Sequence, residues 1–211
     1  MVDAFIKHIT YYLPSNTVSN LDLEKEFPEW ESKKIFNKLG IEKRHIASEH
    51  ETSTDLAISA ARKLFHQYKI DPNEIDFILF CTQSPDYFLP TSACVIQNSL
   101  KIPSSSGALD FNMGCSGYIY GLSLAKALIV SGIAKNVLLL TAETYSKYIH
   151  KGDKGNRAIF GDASSATLIS TKGLAKIEDF VLGTDGSGSN NLIVKNGAAR
   201  SNFSYTVGDL T

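Results

Sequence analysis

The feature that most constrains the fold is a helix-forming segment with almost no charge. Between residues 116 and 131 the only charged side chain is Lys126, and apolar residues fall on every side of the predicted helix. A helix that is apolar all round is either a membrane span or buried between layers of structure. The segment is shorter than the ~20 apolar residues that a bilayer span needs, so the sequence predicts burial. A sheet of the same chain can cover one side, but after residue 185 no strong helix or strand is predicted to cover the other.

Short apolar runs alternate with helical stretches along the rest of the chain, which is typical of an α/β fold. Strands are predicted at 4–13, 75–83, 108–113 and 136–143, and helices at 21–39, 55–68 and 91–100. Ser53 or Thr54 is the predicted cap of the second of these helices. Continuous apolar strands separated by helices indicate a mostly parallel sheet that is covered on both faces. The segments 159–170 and 175–186, joined at Lys172-Gly173, predict an antiparallel hairpin at the edge of that sheet.

Composition excludes several classes of function. Apolar residues make up 43% of the 211 residues and charged residues 20%, as in an ordinary globular protein. The net charge of −1 gives no general attraction to nucleic acid or to an anionic membrane, so we expect neither as a partner. Three cysteines are an odd number without metal-ligand spacing, which favours unpaired thiols in a reducing cytoplasm and predicts no metal.

Cys115 lies at the corner where a predicted strand becomes the uncharged helix. The positive end of the helix dipole and the unpaired N–H groups of its first turn favour the thiolate, which is the nucleophilic form of cysteine. Gly114 and Gly117 leave room for another backbone or a thioester to approach closely. A buried cysteine that acts as a small apolar residue is the alternative, and both interpretations stay open at this point. Cys81 and Cys94, within a strand and an apolar helix, are expected to be core residues.

Several blocks of sequence together resemble the β-ketoacyl-acyl-carrier-protein synthase III family of thiolase-like condensing enzymes. The blocks are GIEKRHIA, FLPTSACVIQNSL, DFNMGCSGYIYGL, SGIAKNVLLLTAE and IFGDASSATLI, and the resemblance runs from about Tyr11 to Gly186. It implies an α/β thiolase-like fold, one half of a five-layer α-β-α-β-α arrangement, with buried helices in the shared middle layer. On this basis residues 1–173 are expected to form the N-terminal half. Residues 174–211 are expected to hold a last strand and a linker toward a C-terminal half that is absent.

The resemblance also implies a reaction. In such enzymes the cysteine takes an acyl group from coenzyme A, and decarboxylation of malonyl-acyl carrier protein then drives condensation to a 3-oxoacyl carrier protein. Acyl-CoA would be a substrate, with no permanently bound cofactor, and acyl carrier protein and a second copy of the chain would be the partners. The family also uses a histidine and an asparagine from its C-terminal half. None of the five histidines here lies in a matching motif, so we expect these 211 residues to be incomplete for condensation.

Four further positions carry expectations from the resemblance. Lys38 and Lys154 match basic positions near the phosphate end and the adenine of coenzyme A, and Arg157 is a candidate for binding phosphate or holding the following FGD loop. Leu89 matches a residue that crosses the dimer interface into the partner's acyl pocket, where leucine in place of an aromatic predicts a longer or branched primer. Solvated surface charge and ordinary loop packing are the alternatives. Trp30 lies near the family's adenine-stacking tryptophan, but its spacing to Gly40 is longer, so no role is assigned to it.

A cluster of positive charge follows the tryptophan. It consists of Lys33, Lys34, Lys38, Lys43 and Arg44, diluted by Glu31 and Glu42. Such a surface could dock an acidic carrier protein, although a solvated helix face explains the same charges. Asp162, in the FGD motif, is predicted to have a structural role in a turn.

Three other functions remain open from the sequence. One is a thiolase-superfamily condensing enzyme of secondary metabolism, which would make ketones, quinolones or esters. Another is a module that kept the fold and lost turnover. The third is a cysteine hydrolase, which would need a histidine beside Cys115.

Overall fold

The structure is a computed structural model that describes residues 2–195. The strands are β1 (Phe5–Tyr12), β2 (Asn16–Ser19), β3 (Lys43–Ile46), β4 (Phe77–Cys81), β5 (Gly107–Phe111), β6 (Asn136–Glu143), β7 (Ala163–Ser170) and β8 (Ala175–Lys176). The helices are α1 (Asn20–Glu26), α2 (Ser32–Leu39), α3 (Ser53–Tyr68), α4 (Ser92–Ser99), α5 (Gly117–Val130) and α6 (Lys154–Ile159). Residues 2–13, 49–143 and 163–182 form one compact unit, the sheet unit. Residues 14–48, 144–162 and 183–195 belong to a second, the small unit.

The sheet unit is built on six strands in the order β5-β4-β6-β7-β1-β8. β4 pairs in parallel with β5 and β6, whereas β7 is antiparallel to β6 and β1, and β8 is antiparallel to β1. Four strands (β1, β4, β5 and β6) therefore run in one direction and two in the other, which confirms a mixed sheet in which most strands point the same way. Helices α3 and α4 pack on one face and α5 packs on the other, giving three layers.

The predicted edge hairpin is wrong. Its first segment forms β7, which lies inside the sheet between β6 and β1. Its second segment forms only the short β8, which pairs with Phe5 and Ile6 of β1 rather than with β7. Because β1 fills the position beside β7, the chain after Ser170 must cross β1 before it can pair. Residues 175–176 of the predicted 174–211 segment form β8, and residues 196–211 lie outside the described residues.

The start of α3 corrects a second prediction. Thr52, not Ser53 or Thr54, caps the helix, since its hydroxyl accepts from the Asp55 N–H and Asp55 accepts in return from the Thr52 N–H. Such a reciprocal pair satisfies two otherwise unpaired donors. Ser53 and Thr54 instead use their hydroxyls to bind the segment that follows β4.

Helix α5 has one covered face and one open face. Its inner residues Leu122, Ala125 and Ile129 are buried against the sheet, where they pack in a cluster with Leu79 and Leu139. The outward residues are exposed within the part of the chain that the structure describes; they are Ile119, Leu124, Ala127 and Val130. Cover by a sheet on one side is confirmed, and no element among residues 2–195 covers the other side.

The small unit combines the antiparallel pair β2-β3 with α1, α2 and α6. Leu23, Ile35 and Ala158 form its apolar core. Arg44 is also buried in it, 3% exposed, where its Nε donates to the Ala158 carbonyl oxygen at 2.7 Å and its Nη1 donates to Asn20 Oδ1. Arg44 therefore does not belong to the predicted docking surface, because its guanidinium is used inside the unit.

Candidate active site

Cys115 lies in a short turn between β5 and α5, and its thiol is exposed and unpaired. β5 ends at Phe111 and α5 begins at Gly117, whose N–H donates to the Gly114 carbonyl at 2.8 Å to close the turn. The sequence predicted this corner between a strand and a helix, and the alternative of a buried, inert Cys115 is wrong. An exposed thiol at the amino end of a helix, on a turn fixed by an internal hydrogen bond, can reach and attack an external electrophile.

Two glycines allow side chains at and just past the end of β4 to pack closely on the turn. A Cβ on Gly114 would lie 2.9 Å from the side-chain oxygen of Gln83, and a Cβ on Gly117 would overlap the sulfur of Cys81. Gly117 thus needs glycine for close approach, whereas a side chain at Gly114 would displace only the end of the flexible Gln83 side chain. Neither position has the left-handed backbone that favours glycine. The sequence predicted that the two glycines admit another backbone or a thioester, and the structure shows that they make room for side chains at and just past the end of β4.

The other two cysteines differ from one another. Cys81 is buried as predicted and donates to the Met113 carbonyl at 3.3 Å. Burial, followed by the nearby charge of Glu143, raises the pKa of Cys81 to about 11, so its sulfur stays protonated at neutral pH. Cys94 was predicted to be core but is exposed. α4 buries Ala93 and Ile96 on one face, and the helical period places Cys94 on the other.

The loop between β4 and α4 carries Leu89 at an exposed tip. Tyr87, Phe88 and Leu89 are 64%, 69% and 85% exposed. Asp86 ties the start of the tip to α3 through the hydroxyls of Thr52 and Thr54, at 3.0 and 2.6 Å.

Asp110, on β5, holds the segment that follows this tip. Its carboxylate accepts from the N–H groups of Ser92 and Ala93 at the start of α4, at 2.5 and 2.7 Å. Burial is the main cause that raises the pKa of Asp110. The tip is thus presented between two anchored ends, and the role of Leu89 at a dimer interface stays a prediction.

In the small unit, Lys38 lines a cavity, and Lys154 contacts a ring that lines the same cavity. Lys38, Trp30, Ile159 and Gly155 are among the residues that line this space of about 390 Å³. Lys154 itself lies over the Trp30 ring, with its Nζ 5.5 Å from the ring centroid. An apolar cavity with an aromatic ring and cations at its edge can hold a planar base with attached phosphates.

Trp30 is a functional candidate to which the sequence assigned no role. Its longer spacing to Gly40 counted against it, but its ring lines the cavity and lies beside Lys154. The matching spacing of Lys154 to the FGD motif was the signal that could have identified its partner. The Lys154 Nζ also pairs with the Glu29 carboxylate at 2.5 Å, and this pair holds the ammonium beside the ring. The hydrogen bond from Lys154 is the first cause that lowers the pKa of Glu29.

Arg157 has a structural partner. Both of its terminal nitrogens donate to the Glu26 carboxylate, at 2.7 and 3.0 Å, and Nη1 also donates to the Lys151 carbonyl. The hydrogen bond from Arg157 is the first cause that lowers the pKa of Glu26. A bidentate pair of this kind fixes α6 against α1, which favours the loop-holding role over phosphate binding.

Asp162 has the predicted structural role. Its carboxylate accepts from the Ala47 N–H at 2.8 Å and from the N–H and hydroxyl of Ser146, at 3.1 and 2.5 Å. It thereby joins β3 to the segment after β6 within the small unit.

The predicted basic surface is smaller than its sequence suggests. Arg44 is buried, and Lys34, although exposed, pairs with Glu31 at 2.5 Å, so the surface is reduced to Lys33, Lys38 and Lys43. Among residues 2–195 there is no cluster of three or more potential metal-ligating side chains. The same residues contain no helix long and apolar enough to cross a bilayer.

The three-layer unit and the thiol that precedes its uncharged helix define the class: condensing enzymes with a thiolase-like fold. The family described as 3-Oxoacyl-[acyl-carrier-protein (ACP)] synthase III matches residues 109–186, which include the Cys115 turn, α5 and the FGD motif. Similarity to curated proteins extends well beyond that segment.

Two such relatives are β-ketoacyl-[acyl-carrier-protein] synthases III. The protein of Clostridium perfringens is 38% identical over 185 residues, which cover 87% of this chain and 56% of the relative. The protein of Campylobacter jejuni is 37% identical over 211 residues, which cover 98% of this chain and 63% of the relative.

Solved structures agree with these relatives. A crystal structure of a 3-oxoacyl-(acyl-carrier-protein) synthase III superposes with a TM-score of 0.93 at 51% identity, covering 96% of this chain and 61% of that one. The structure of a 3-oxoacyl-(acyl-carrier protein) synthase from Burkholderia xenovorans superposes with a TM-score of 0.85 at 34% identity, and the match covers 93% of this chain and 56% of that one. The chain belongs to the 3-oxoacyl-acyl-carrier-protein synthase III family, and it spans about 60% of the length of these relatives.

Proposed function

We propose that this chain is the acyl-accepting portion of a 3-oxoacyl-acyl-carrier-protein synthase III of fatty acid or related lipid biosynthesis. The observation that carries the proposal is the exposed Cys115 on a turn packed through Gly114 and Gly117. Membership of the family supports the reaction class, since the relatives at 37% and 38% identity carry this name.

The first step is acyl transfer. The Cys115 sulfur attacks the thioester carbonyl of acyl-CoA, so that a carbon–sulfur bond to Cys115 forms and the bond to coenzyme A breaks. The Cys115 proton leaves with the departing coenzyme A thiol, and no redox change occurs. Binding of the donor's adenosine end is the contribution of the cavity lined by Trp30 and Lys38, where the adenine stacks on the indole and the cations meet the phosphates.

The second step is decarboxylative condensation. Malonyl-acyl carrier protein loses carbon dioxide, its α-carbon bonds to the acyl carbonyl, and the Cys115 thiolate is released. The enolate formed on decarboxylation needs hydrogen-bond donors. Among the described histidines, His45 binds the Pro14 carbonyl, His150 accepts from the Gly152 N–H and His8 stacks on Tyr68. We therefore assign none of these three histidines to the condensation step.

Three finer assignments belong to the same proposal. Acyl carrier protein docks on the exposed lysines Lys33, Lys38 and Lys43. The chain works as a homodimer, with Leu89 at the shared acyl pocket. It acts in the cytoplasm, where a reducing environment suits its three unpaired thiols.

The test is intact-mass analysis of the 211-residue chain after incubation with acetyl-CoA or a medium-chain acyl-CoA. One acyl group should be added, peptide mapping should place it on Cys115, and C115A should remain unmodified. C94A is the matched control, because Cys94 is also exposed, and it should acylate like the parent. A parent chain that stays unmodified, or that is acylated equally on Cys94, overturns the proposal and leaves a module without turnover.

A further inference from the structure

The segment that follows β4 supports the turn that carries Cys115. The Gln83 side-chain oxygen packs on Gly114, 2.9 Å from the position of a Cβ there, and its Nε2 donates to Asn112 Oδ1 at 3.1 Å. The Gln83 carboxamide thus contacts the backbone just before Cys115 and the side chain that opens the turn. Any shift of Gln83 is transmitted to the sulfur through one or two residues of backbone.

Glu143 fixes Gln83 from the neighbouring strand. Its Oε1 accepts from the Gln83 N–H and its Oε2 from the Ser84 hydroxyl, both at 2.8 Å. β6 lies beside β4 in parallel register, with Thr141 opposite Cys81, so the carboxylate at the end of β6 reaches the residues just past β4. Hydrogen bonds to an ionised acceptor are short and about twice as strong as neutral ones.

We propose that Glu143 is a positioning residue for the Cys115 nucleophile, acting through Gln83. The inference rests on the proposed function of Cys115 as acyl acceptor. Glu143 holds the Gln83 backbone, the Gln83 side chain covers Gly114, and the turn then presents the sulfur in one orientation. A displacement of about 1 Å in a reacting group can cost up to about 100-fold in rate, so this indirect contact matters for catalysis.

Three substitutions separate the effects of the Glu143 charge, the Glu143 hydrogen bonds and the Gln83 side chain. Glu143→Gln keeps an oxygen that accepts from the Gln83 N–H, and its amide can donate to the Ser84 hydroxyl, which rotates to accept. Glu143→Ala removes both bonds. Gln83→Ala removes the contact with Gly114 but leaves the Glu143 bond to the backbone N–H.

Asp76 supplies the matched control. Its Oδ2 accepts from the N–H groups of Lys135 and Asn136, both at 2.8 Å, at the opposite end of β6. Asp76→Ala therefore removes a comparable carboxylate anchor of the same unit at the end away from Glu143.

Amide hydrogen exchange of peptides that cover residues 110–118 is the first measurement. Glu143→Ala and Gln83→Ala should speed exchange there by about tenfold, while Glu143→Gln and Asp76→Ala should leave this segment near the parent. Equal exchange in the parent and in both alanine variants overturns the proposal. So does equal acceleration by Asp76→Ala, because that result reports general loosening of the unit.

The second measurement is the rate of Cys115 acylation against acyl-CoA concentration. Glu143→Ala and Gln83→Ala should lower the maximal rate about 10- to 100-fold, with the half-saturating concentration within about twofold and with rescue by Glu143→Gln. An unchanged maximal rate, or an effect confined to half-saturation, overturns the proposal. A parent chain that is not acylated at all defeats the proposed function instead, and the hydrogen-exchange comparison still decides the link from Glu143 to the turn.

Discussion

The sulfur of Cys81 occupies the space that a side chain on Gly117 would need. A buried cysteine and a helix-starting glycine are thus a packed pair, and the exposed Cys115 lies between that glycine and Gly114. The nucleophile turn is built as much by the end of β4 as by its own residues.

This packing predicts a specific stability change. Gly117→Ala should lower the free energy of unfolding by about 1–2 kcal/mol, because overpacking against Cys81 and Met113 exceeds the better helix propensity of alanine. Urea denaturation measures the change. Cys81→Ala removes the overlapping sulfur. The double variant should therefore lose at least about 0.5 kcal/mol less unfolding free energy than the sum of the losses in the two single variants. Gly186→Ala, which meets open space, is the control, and strictly additive effects of Gly117→Ala and Cys81→Ala would contradict the packing.

Differential alkylation should divide the cysteines into two groups. At pH 8 iodoacetamide should modify Cys115 and Cys94, which are exposed, and leave Cys81 unmodified. Burial protects Cys81, and because its pKa is raised to about 11 only a small fraction of it is thiolate at that pH. Peptide mass spectrometry in native buffer and in urea checks the result, since denaturation should make all three react. Rapid labelling of Cys81 in the native protein would refute its buried position.

The cavity in the small unit can be tested by fluorescence because Trp30 is the single tryptophan of the chain. Coenzyme A should quench its emission, and Lys154→Ala should raise the dissociation constant about tenfold through loss of a cation beside the stacked base. Lys154→Arg should bind at least as tightly as the parent, since a planar guanidinium can stack. Lys33→Ala is the matched control, because Lys33, unlike Lys154, does not lie over the Trp30 ring and does not line this cavity. If Lys154→Ala leaves the dissociation constant of coenzyme A unchanged, the cavity is not its binding site.

Acid sensitivity should depend in part on Asp22. Hydrogen bonds from the Ser19 hydroxyl and N–H, followed by Lys25, lower the pKa of Asp22 to about 2 from an ordinary value of 3.8. A carboxyl with a lowered pKa stabilises the fold above its unfolded pKa, and this contribution is lost as the pH falls from about 4 to 2. Asp22→Asn should therefore flatten the dependence of the melting temperature on pH in that window. Glu42→Gln, at a carboxylate with no hydrogen bond or ion pair within residues 2–195, should leave the slope unchanged, and the same slope in both variants would contradict the prediction.

Local patterns predicted the elements well where one physical signal dominated. β6 was predicted at its observed bounds because an unbroken apolar run needs burial on both faces, and α5 was predicted because it lacks charge. Pairing of β7 was missed because the choice of partner depends on where β1 lies, and a short turn cannot reveal that. Arg44 was placed on the surface by charge counting, but it is buried and its Nε and Nη1 donate to Ala158 and Asn20, which are distant in sequence.

The site was predicted to a similar degree. Cys115 followed from the corner between strand and helix, together with the family resemblance. No sequence pattern pointed to Gln83 and Glu143, because the two residues come into contact only when β4 and β6 pair side by side. Polar residues just past adjacent parallel strands are the pattern that could have brought them together.

The two carboxylates that flank the tip of the β4–α4 loop separate two kinds of evolutionary constraint. Asp86 ties the loop before the tip to α3, and Asp110 ties the start of α4 after the tip to β5, so neither anchor uses the side chain of Tyr87 or Leu89. Natural variation at those two sites can then retune what the tip meets without eroding the scaffold. Selection on molecular recognition and selection on folding therefore act on different residues of one short loop.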